Sequence, residues 1–356
     1  MSPDPVAFYV HHHGSGHATR TRVLAAALPS EVPVHVFTSA PERFKGWERG
    51  TVHTLPPDVA PDRDPARDLL EDQVLHYAPV EVPDVSRRMA LIANWIAEHR
   101  PAWFIVDLSV EVALFVRLCG VRVALVRLHG HRDDLAHRGA FGLADRLLAP
   151  FPAELEDAHT PAWVRGKTTY LGAFSRYDHR TEDRLSCRQL LGLPPDARIA
   201  TVINGRGGGA RVPSEWAKIA AAVPDWLFLL VGEVDPDSAT GPGNLRAAGR
   251  QSDTFPWLRA ADVVVGSGGT NTMFEIGAAR VPYLSLPEPR PFDEQHCKME
   301  ALQRHGLTRI VPPGLPPAAW REWLEAAREQ EVKGWDDLFA SPPLSAILKE
   351  LLVRPR

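Results

Sequence analysis

Residues 260–295 read AADVVVGSGGTNTMFEIGAARVPYLSLPEPRPFDEQ, and their pattern decides the fold. A short unbroken apolar run at 263–265 gives way to a glycine-rich turn. Apolar residues at helical spacing follow over 272–279, and a second apolar run covers 283–286. A continuous apolar strand is one buried on both faces, and strand, turn, helix, strand in that order is the unit of a parallel sheet covered by helices. The unit recurs outward in both directions. Further strands are predicted at 6–10, 34–38, 103–106, 121–128, 199–203, 227–231 and 309–311, and further helices at 18–28, 85–98, 110–118, 214–222 and 294–305. The stretch 151–167 is polar, contains prolines and breaks the pattern. It predicts an N-terminal domain over 1–155, a linker over 156–171, a second domain over 172–330 and a helical tail over 331–356. Residues 56–72, rich in Pro, Asp and Arg, predict a loop. The expected fold is α/β, with two doubly wound Rossmann-like domains facing across a cleft. Ligands of such sheets bind beyond the carboxyl ends of the strands.

Composition agrees with this organisation. A chain of 356 residues suits two domains, and 44% hydrophobic residues supply two cores. The net charge of −4 and the scattered basic residues give no pull toward nucleic acid. Cys119, Cys187 and Cys297 are far apart and suggest neither a zinc site nor a disulfide framework, which fits a reducing cytoplasm. The apolar run 6–10 is too short to span a bilayer and lacks the basic start of a secretory signal. The segment RFKGWER at 43–49 mixes basic and aromatic residues. It is either an exposed loop or a peripheral contact with lipid headgroups.

Four loops carry candidate chemistry. The first, HHHGSGHATR at 11–20, joins a strand to a helix. Gly14, Ser15 and Gly16 let the backbone approach a ligand, and His17 at the helix start is suited to taking a proton. The alternative is a tight turn with structural histidines. No carboxylate or Cys stands beside the triple histidine in the sequence, so no metal site is predicted. A dinucleotide fingerprint fails here, because Thr19 replaces the third glycine and the next strand ends Phe37-Thr38-Ser39 without an acid for a ribose. The second loop, NGRGGGA at 204–210, offers successive backbone N–H groups to a diphosphate. In the third, Thr272 and Glu275 have the spacing of a capping box. Glu275 either satisfies a backbone N–H or accepts both hydroxyls of a ribose. In the fourth, Asp293, Glu294 and Gln295 stand at a helix start, where they either cap it or read sugar hydroxyls.

The third and fourth loops together resemble the donor site of GT-B glycosyltransferases, closest to the family 28 N-acetylglucosaminyltransferases that include MurG. The likeness lies in the ADVVV strand, the glycine-rich TxxE turn, a strand opened by proline and a helix start containing Gln. It extends to NGRGGGA, to GAFSR at 172–176, similar to a GNPxR segment, and to HGSGH, similar to a GGTGGH loop. Two family glycines of that loop are histidines here, and Glu294 stands before Gln295 where the family has two glutamines. The resemblance implies that Glu275 holds the ribose, and that Arg176, Gly207, Gly208 and Gly209 neighbour the diphosphate. Gly268, Gly269 and Thr270 form the donor turn, Glu294 and Gln295 read the sugar, and the backbone near Phe255 meets the base. His17 lies by the acceptor. The activity implied is transfer from a nucleotide-diphosphate sugar, UDP-linked and of the UDP-N-acetylglucosamine kind, to an unidentified hydroxyl on a lipid-linked or small molecule. Neither metal nor cofactor is called for, and no DxD acid pair stands between strands. The base is His17 or Asp107, with Glu111 a weaker candidate. A 2-epimerase, a hydrolase and a non-catalytic nucleotide-sugar-binding subunit remain as alternatives on the same architecture.

Overall fold

A computed structural model describes residues 3–12, 16–59, 73–204, 212–235, 241–340 and 342–352. The chain divides into two units, one of Met1–Ala153, His159–Gly172 and Ser341–Arg356, the other of Glu154–Ala158 and Ala173–Ala340.

The first unit runs β1 (Val6–Tyr9), α1 (Gly16–Ala27), β2 (Val34–Thr38), β3 (Thr51–Thr54), α2 (Pro83–His99), β4 (Trp103–Asp107), α3 (Val110–Leu118), β5 (Val123–Val126), α4 (Leu135–Leu143), β6 (Arg146–Ala149), α5 (Ala162–Lys167) and β7 (Thr168–Tyr170). Its strands order as β3-β2-β1-β4-β5-β6-β7, all parallel. The second unit runs α6 (Arg184–Leu190), β8 (Arg198–Asn204), α7 (Pro213–Ala222), β9 (Trp226–Gly232), β10 (Leu245–Gly249), α8 (Phe255–Arg259), β11 (Val263–Gly266), α9 (Thr270–Ala279), β12 (Tyr283–Ser285), α10 (Glu294–Arg304), β13 (Arg309–Ile310), α11 (Trp320–Arg328) and α12 (Gly334–Phe339). Its strands order as β10-β9-β8-β11-β12-β13, again all parallel. A last helix, α13 (Leu344–Leu352), belongs to the first unit and packs on α1. Both units are Rossmann-like. In each, the strand order reverses beside the first strand, between β1 and β4 and between β8 and β11. These are the switch points at which such sheets bind ligands.

The central strands are the ones the apolar runs predict. β4 is buried along its whole length, as is β11. In the first unit Ile92 and Ile96 of α2 pack with Phe104 and Val106. In the second, Trp216 and Ile219 of α7 pack with Phe228 and Leu230, and Trp320 of α11 meets the Trp216 ring edge-on at 5.2 Å. Each large side chain so buried contributes about 1.5–3 kcal/mol.

The strands absent from the sequence prediction are β3, β6, β7 and β10. Three of them are sheet edges, and TVHT, TTY and LRAAG carry no apolar run because an edge is only partly covered. The strand predicted at 121–128 shortens to Val123–Val126. The Arg127 N–H still reaches the Leu148 carbonyl at 2.9 Å, and its side-chain Nε donates to Thr168 Oγ1 at 2.8 Å. Among the described residues no helix is long and apolar enough to cross a membrane.

Candidate functional site

In the first unit the switch point is built by the ends of β1 and β4. β4 stops at Asp107 and turns at once. Leu108 takes a φ of 67°, and the Ser109 N–H returns to the Asp107 carbonyl at 3.0 Å, the i→i+2 bond of a γ-turn. Ser109 Oγ then accepts the Val112 N–H at 3.2 Å and caps α3. A leucine in that backbone region costs on the order of 1–3 kcal/mol, so strain is held beside the carboxylate.

Asp107 is only 3% exposed. Its Oδ2 lies 2.9 Å from His17 Nδ1, and Arg20 Nη2 donates to its two oxygens at 2.7 and 2.9 Å. His17 and Arg20 are three apart on α1 and share a face. Burial alone would raise the Asp107 carboxyl. The Arg20 guanidinium and then His17 override it and hold the group well below the usual carboxylate range. Arg20 Nη2 also lies 3.1 Å from His17 Nδ1. Because the guanidinium already donates to the carboxylate, the ring proton belongs on Nδ1, facing the anion. That leaves the Nε2 lone pair to accept a proton. Gly16 opens α1, while Gly14 and Ser15 lie outside the described residues.

Glu111 is not placed to act as a base. Its Oε1 accepts the backbone N–H groups of His76 and Tyr77 at 2.7 and 3.0 Å, so it anchors that segment. The fold also brings a carboxylate to the histidine run, where the sequence showed none nearby: His12 Nδ1 is 3.6 Å from Asp58. In this unit His76, Asp134 and His137 bring potential metal-ligand atoms within 4.8 Å of one another. His76 Nε2 and His137 Nδ1 lie on the Asp134 oxygens at 2.8 and 2.6 Å, and Arg132 Nη1 stands 3.1 Å from His137 Nε2. A guanidinium donating to Nε2 leaves the proton on Nδ1, where a cation would need a lone pair. Burial and then the Arg132 charge hold His137 down at about 4. The group is a hydrogen-bonded hub in which Asp134 also caps α4 through the His137 N–H at 3.0 Å.

In the second unit the predicted phosphate loop, with Gly207, Gly208 and Gly209, lies outside the described residues. The turn after β11 is described. α9 begins at Thr270, two residues earlier than the sequence predicts, with Gly269 at its N-cap and no side-chain cap. The capping box of Thr272 and Glu275 therefore does not form. Both residues lie inside the helix, and Glu275 turns to Arg176, whose Nε donates to Oε1 at 2.8 Å and Nη2 to Oε2 at 3.4 Å. Burial pushes the Glu275 carboxyl up, against the pull of Arg176. Tyr177 lies under the guanidinium at 4.6 Å, and its hydroxyl pairs with Thr254 Oγ1 at 2.9 Å. Phe255 is buried edge-on to Tyr177, and its N–H donates to Asp253 Oδ1 at 3.0 Å. Arg176 and Glu275, read as neighbours of the diphosphate and of the ribose respectively, thus form one ion pair.

The Gly268 N–H donates to Gln295 Oε1 at 2.9 Å, and the same oxygen accepts the Glu288 N–H at 2.8 Å. One carboxamide therefore ties the third loop to the fourth. A Cβ on Gly268 would stand 3.0 Å from Gln295 Cβ and Met299 Cγ, whereas one on Gly269 would meet only Thr272 Oγ1 at 3.7 Å. Thr270 Oγ1 is buried and has no hydrogen-bond partner among the described residues. Asp293 does not cap α10: it has a φ of 55° and no side-chain cap bond, and Phe292 before it has a φ of 62°. Two successive non-glycine residues in the left-handed region thus deliver Glu294 and Gln295.

No family model matches the chain. An uncharacterized glycosyltransferase of Methanosarcina acetivorans is 23% identical over 214 residues, 58% of this chain and 54% of that protein. A UDP-N-acetylglucosamine--N-acetylmuramyl-(pentapeptide) pyrophosphoryl-undecaprenol N-acetylglucosamine transferase of Oceanobacillus iheyensis is 25% identical over 183 residues, 50% of this chain and 49% of that protein. The chain spans about half the length of the curated relatives it matches. The spinosyn forosaminyltransferase SpnP superposes with a TM-score of 0.72 at 14% identity, covering 99% of this chain and 100% of that one. Acinetobacter baumannii MurG superposes with a TM-score of 0.68 at 15% identity, covering 98% and 99%. The chain has the GT-B fold. At such identities the likeness is one of fold, and this GT-B chain's chemistry has to be argued from its own residues.

Sequence reading missed Arg20, Tyr177, Thr254 and Lys298. Arg20 had a signal, the spacing H-x-x-R on one helix face. Lys298 had none.

Proposed function

We propose that this chain is a metal-independent glycosyltransferase that moves a sugar from a nucleotide-diphosphate donor to an acceptor hydroxyl. The observation that carries the reading is the buried Asp107 at 2.9 Å from His17 Nδ1, itself neutralised by Arg20. This is the arrangement a general base needs. The acceptor oxygen attacks the anomeric carbon. The bond from that carbon to the diphosphate oxygen breaks, and the diphosphate leaves with the electron pair. His17 Nε2 takes the hydroxyl proton, and Asp107 orients the ring and stabilises the imidazolium. The first unit acts as the acceptor side and the second as the donor side. Backbone N–H groups at the start of α9 and the Arg176 guanidinium meet the charge on the leaving group. The orphaned Thr270 hydroxyl supports a polar ligand at that turn. Glu275 is the ribose partner, and Glu294 and Gln295 read the sugar.

Relatives named as glycosyltransferases, one of them for UDP-N-acetylglucosamine, make that compound the first donor to try. The three cysteines are free, which supports action in a reducing compartment. The test is the purified chain with a panel of nucleotide sugars, with and without cell extract and EDTA, following free diphosphate and labelled product. Diphosphate release that needs extract, yields a glycosylated product and survives EDTA is expected. Free sugar without extract would make the chain a hydrolase, an altered sugar an epimerase, and binding without turnover a non-catalytic subunit.

A further inference from the structure

The Lys298 side chain on α10 has no exposed surface. An ammonium group so placed is costly unless its hydrogens find acceptors. Its Nζ donates to the Gly268 carbonyl at 3.0 Å and to Glu294 Oε1 at 2.9 Å. Gln295, one turn earlier, accepts the Gly268 N–H, so α10 grips the backbone of that glycine through both its N–H and its C=O. Supporting the turn would need only the carbonyl contact. The second contact goes to a carboxylate that opens α10 and follows the two left-handed residues Phe292 and Asp293. Glu294 keeps 20% of its side chain exposed while Lys298 holds one of its oxygens.

We infer that Lys298 is a positioning residue for recognition of the donor's sugar. It fixes the Glu294 carboxylate in the orientation that meets the sugar hydroxyls, and it locks that carboxylate to the Gly268 turn. The inference rests on the donor-site reading above. In that reading the free nucleotide diphosphate does not touch Glu294 and the sugar does, so the lysine's effect is selective for the sugar.

The experiment is calorimetry on the full chain with UDP-, GDP- and dTDP-hexoses and the three free diphosphates. The readout is the ratio of the dissociation constants of the free diphosphate and the nucleotide sugar. For Lys298→Met, of similar length and suited to the buried slot, the nucleotide sugar should bind at least about tenfold more weakly, with the free diphosphate changed less than about twofold. Glu294→Gln should shift the ratio in the same direction, and the double variant should lose no more than the worse single one, because the two act through one contact. If Lys298→Met does not fold, Lys298→Gln, which keeps N–H donors without the charge, takes its place. An unchanged ratio would overturn the role: with both affinities lost in parallel, Lys298 only supports the Gly268 turn, and with both affinities intact it has no part in donor binding. A wild-type chain that binds neither ligand class would instead overturn the donor-site reading, and this role with it.

Discussion

The two units share a strand order around their switch points, β3-β2-β1-β4 in one and β10-β9-β8-β11 in the other. They hold their candidate sites in different ways. In the first, the site is a charge arrangement: one buried carboxylate beside a strained turn, matched by Arg20 and His17. In the second, it is a backbone shape: a glycine turn held by Gln295 and Lys298 from α10, with Arg176 paired to Glu275 of α9. Charge decides where a proton goes, and shape decides what binds. Substitutions in the first unit should therefore act on rate and those in the second on affinity.

The largest effect should come from the first unit. His17→Ala is expected to lower kcat by about 10²–10⁴ with donor affinity nearly unchanged. Asp107→Asn should impair turnover as well, and it should cost stability because it leaves buried Arg20 without its counter-charge. Steady-state kinetics beside donor titrations check both. Near-normal kcat in His17→Ala with abolished turnover in Asp107→Asn would make the aspartate the base.

In the second unit, Glu275→Gln should weaken nucleotide diphosphate binding at least about tenfold through lost charge-assisted bonds. The melting temperature should barely move, since Arg176 is 39% exposed and such a pair contributes at most about 1 kcal/mol. Lost stability with intact affinity would make the pair structural. Two neighbouring glycines sharpen the point about shape. Gly268→Ala should cost about 1–3 kcal/mol of stability by overpacking, together with donor affinity, while Gly269→Ala should cost less than about 0.5 kcal/mol. Equal effects in denaturant melts would mean that α10 does not constrain the turn.

A further prediction, again in the first unit, concerns pH. His35 on β2 and His53 on β3 face each other at 3.0 Å, with His53 stacked on Phe37 and His35 tilted against Trp95. Burial first, then the neighbouring histidines, pushes His35 down to about 4, and His53 is lowered as well. The folded pair stays neutral while the unfolded chain takes up protons below about pH 6.5. Their contribution is complete above that pH and is lost as pH falls toward 4, at no more than about 1.4 kcal/mol per pH unit per group. Thermal melts from pH 7 to 4 should show this slope in the wild type and a shallower one in His35→Gln. Identical slopes would count against the pair.

How much was legible follows the same division. The second unit announced itself because Gly268, Glu275 and Gln295 fall within one short stretch after a buried strand. His17 and Asp107 stood out only as residues after strands, and their pairing across 90 positions needed the sheet to place β1 beside β4. The capping box misled because glycine itself serves as the N-cap and started the helix early. Lys298 was illegible in principle: lysines are almost always exposed, and only the approach of α10 to Gly268 buries this one. Edge strands were missed because half-covered strands need no apolar run.

In the proposed function the second unit holds the donor while the first supplies the base. Hydrogen exchange of the full chain with and without a saturating nucleotide sugar tests it most directly. Slowed exchange is expected at the turn and helix around 266–277 and at 288–299, with little change around 16–20 and 107–111 in the absence of acceptor. Protection confined to the first unit's loops, with the α9 and α10 turns unaffected, would contradict it.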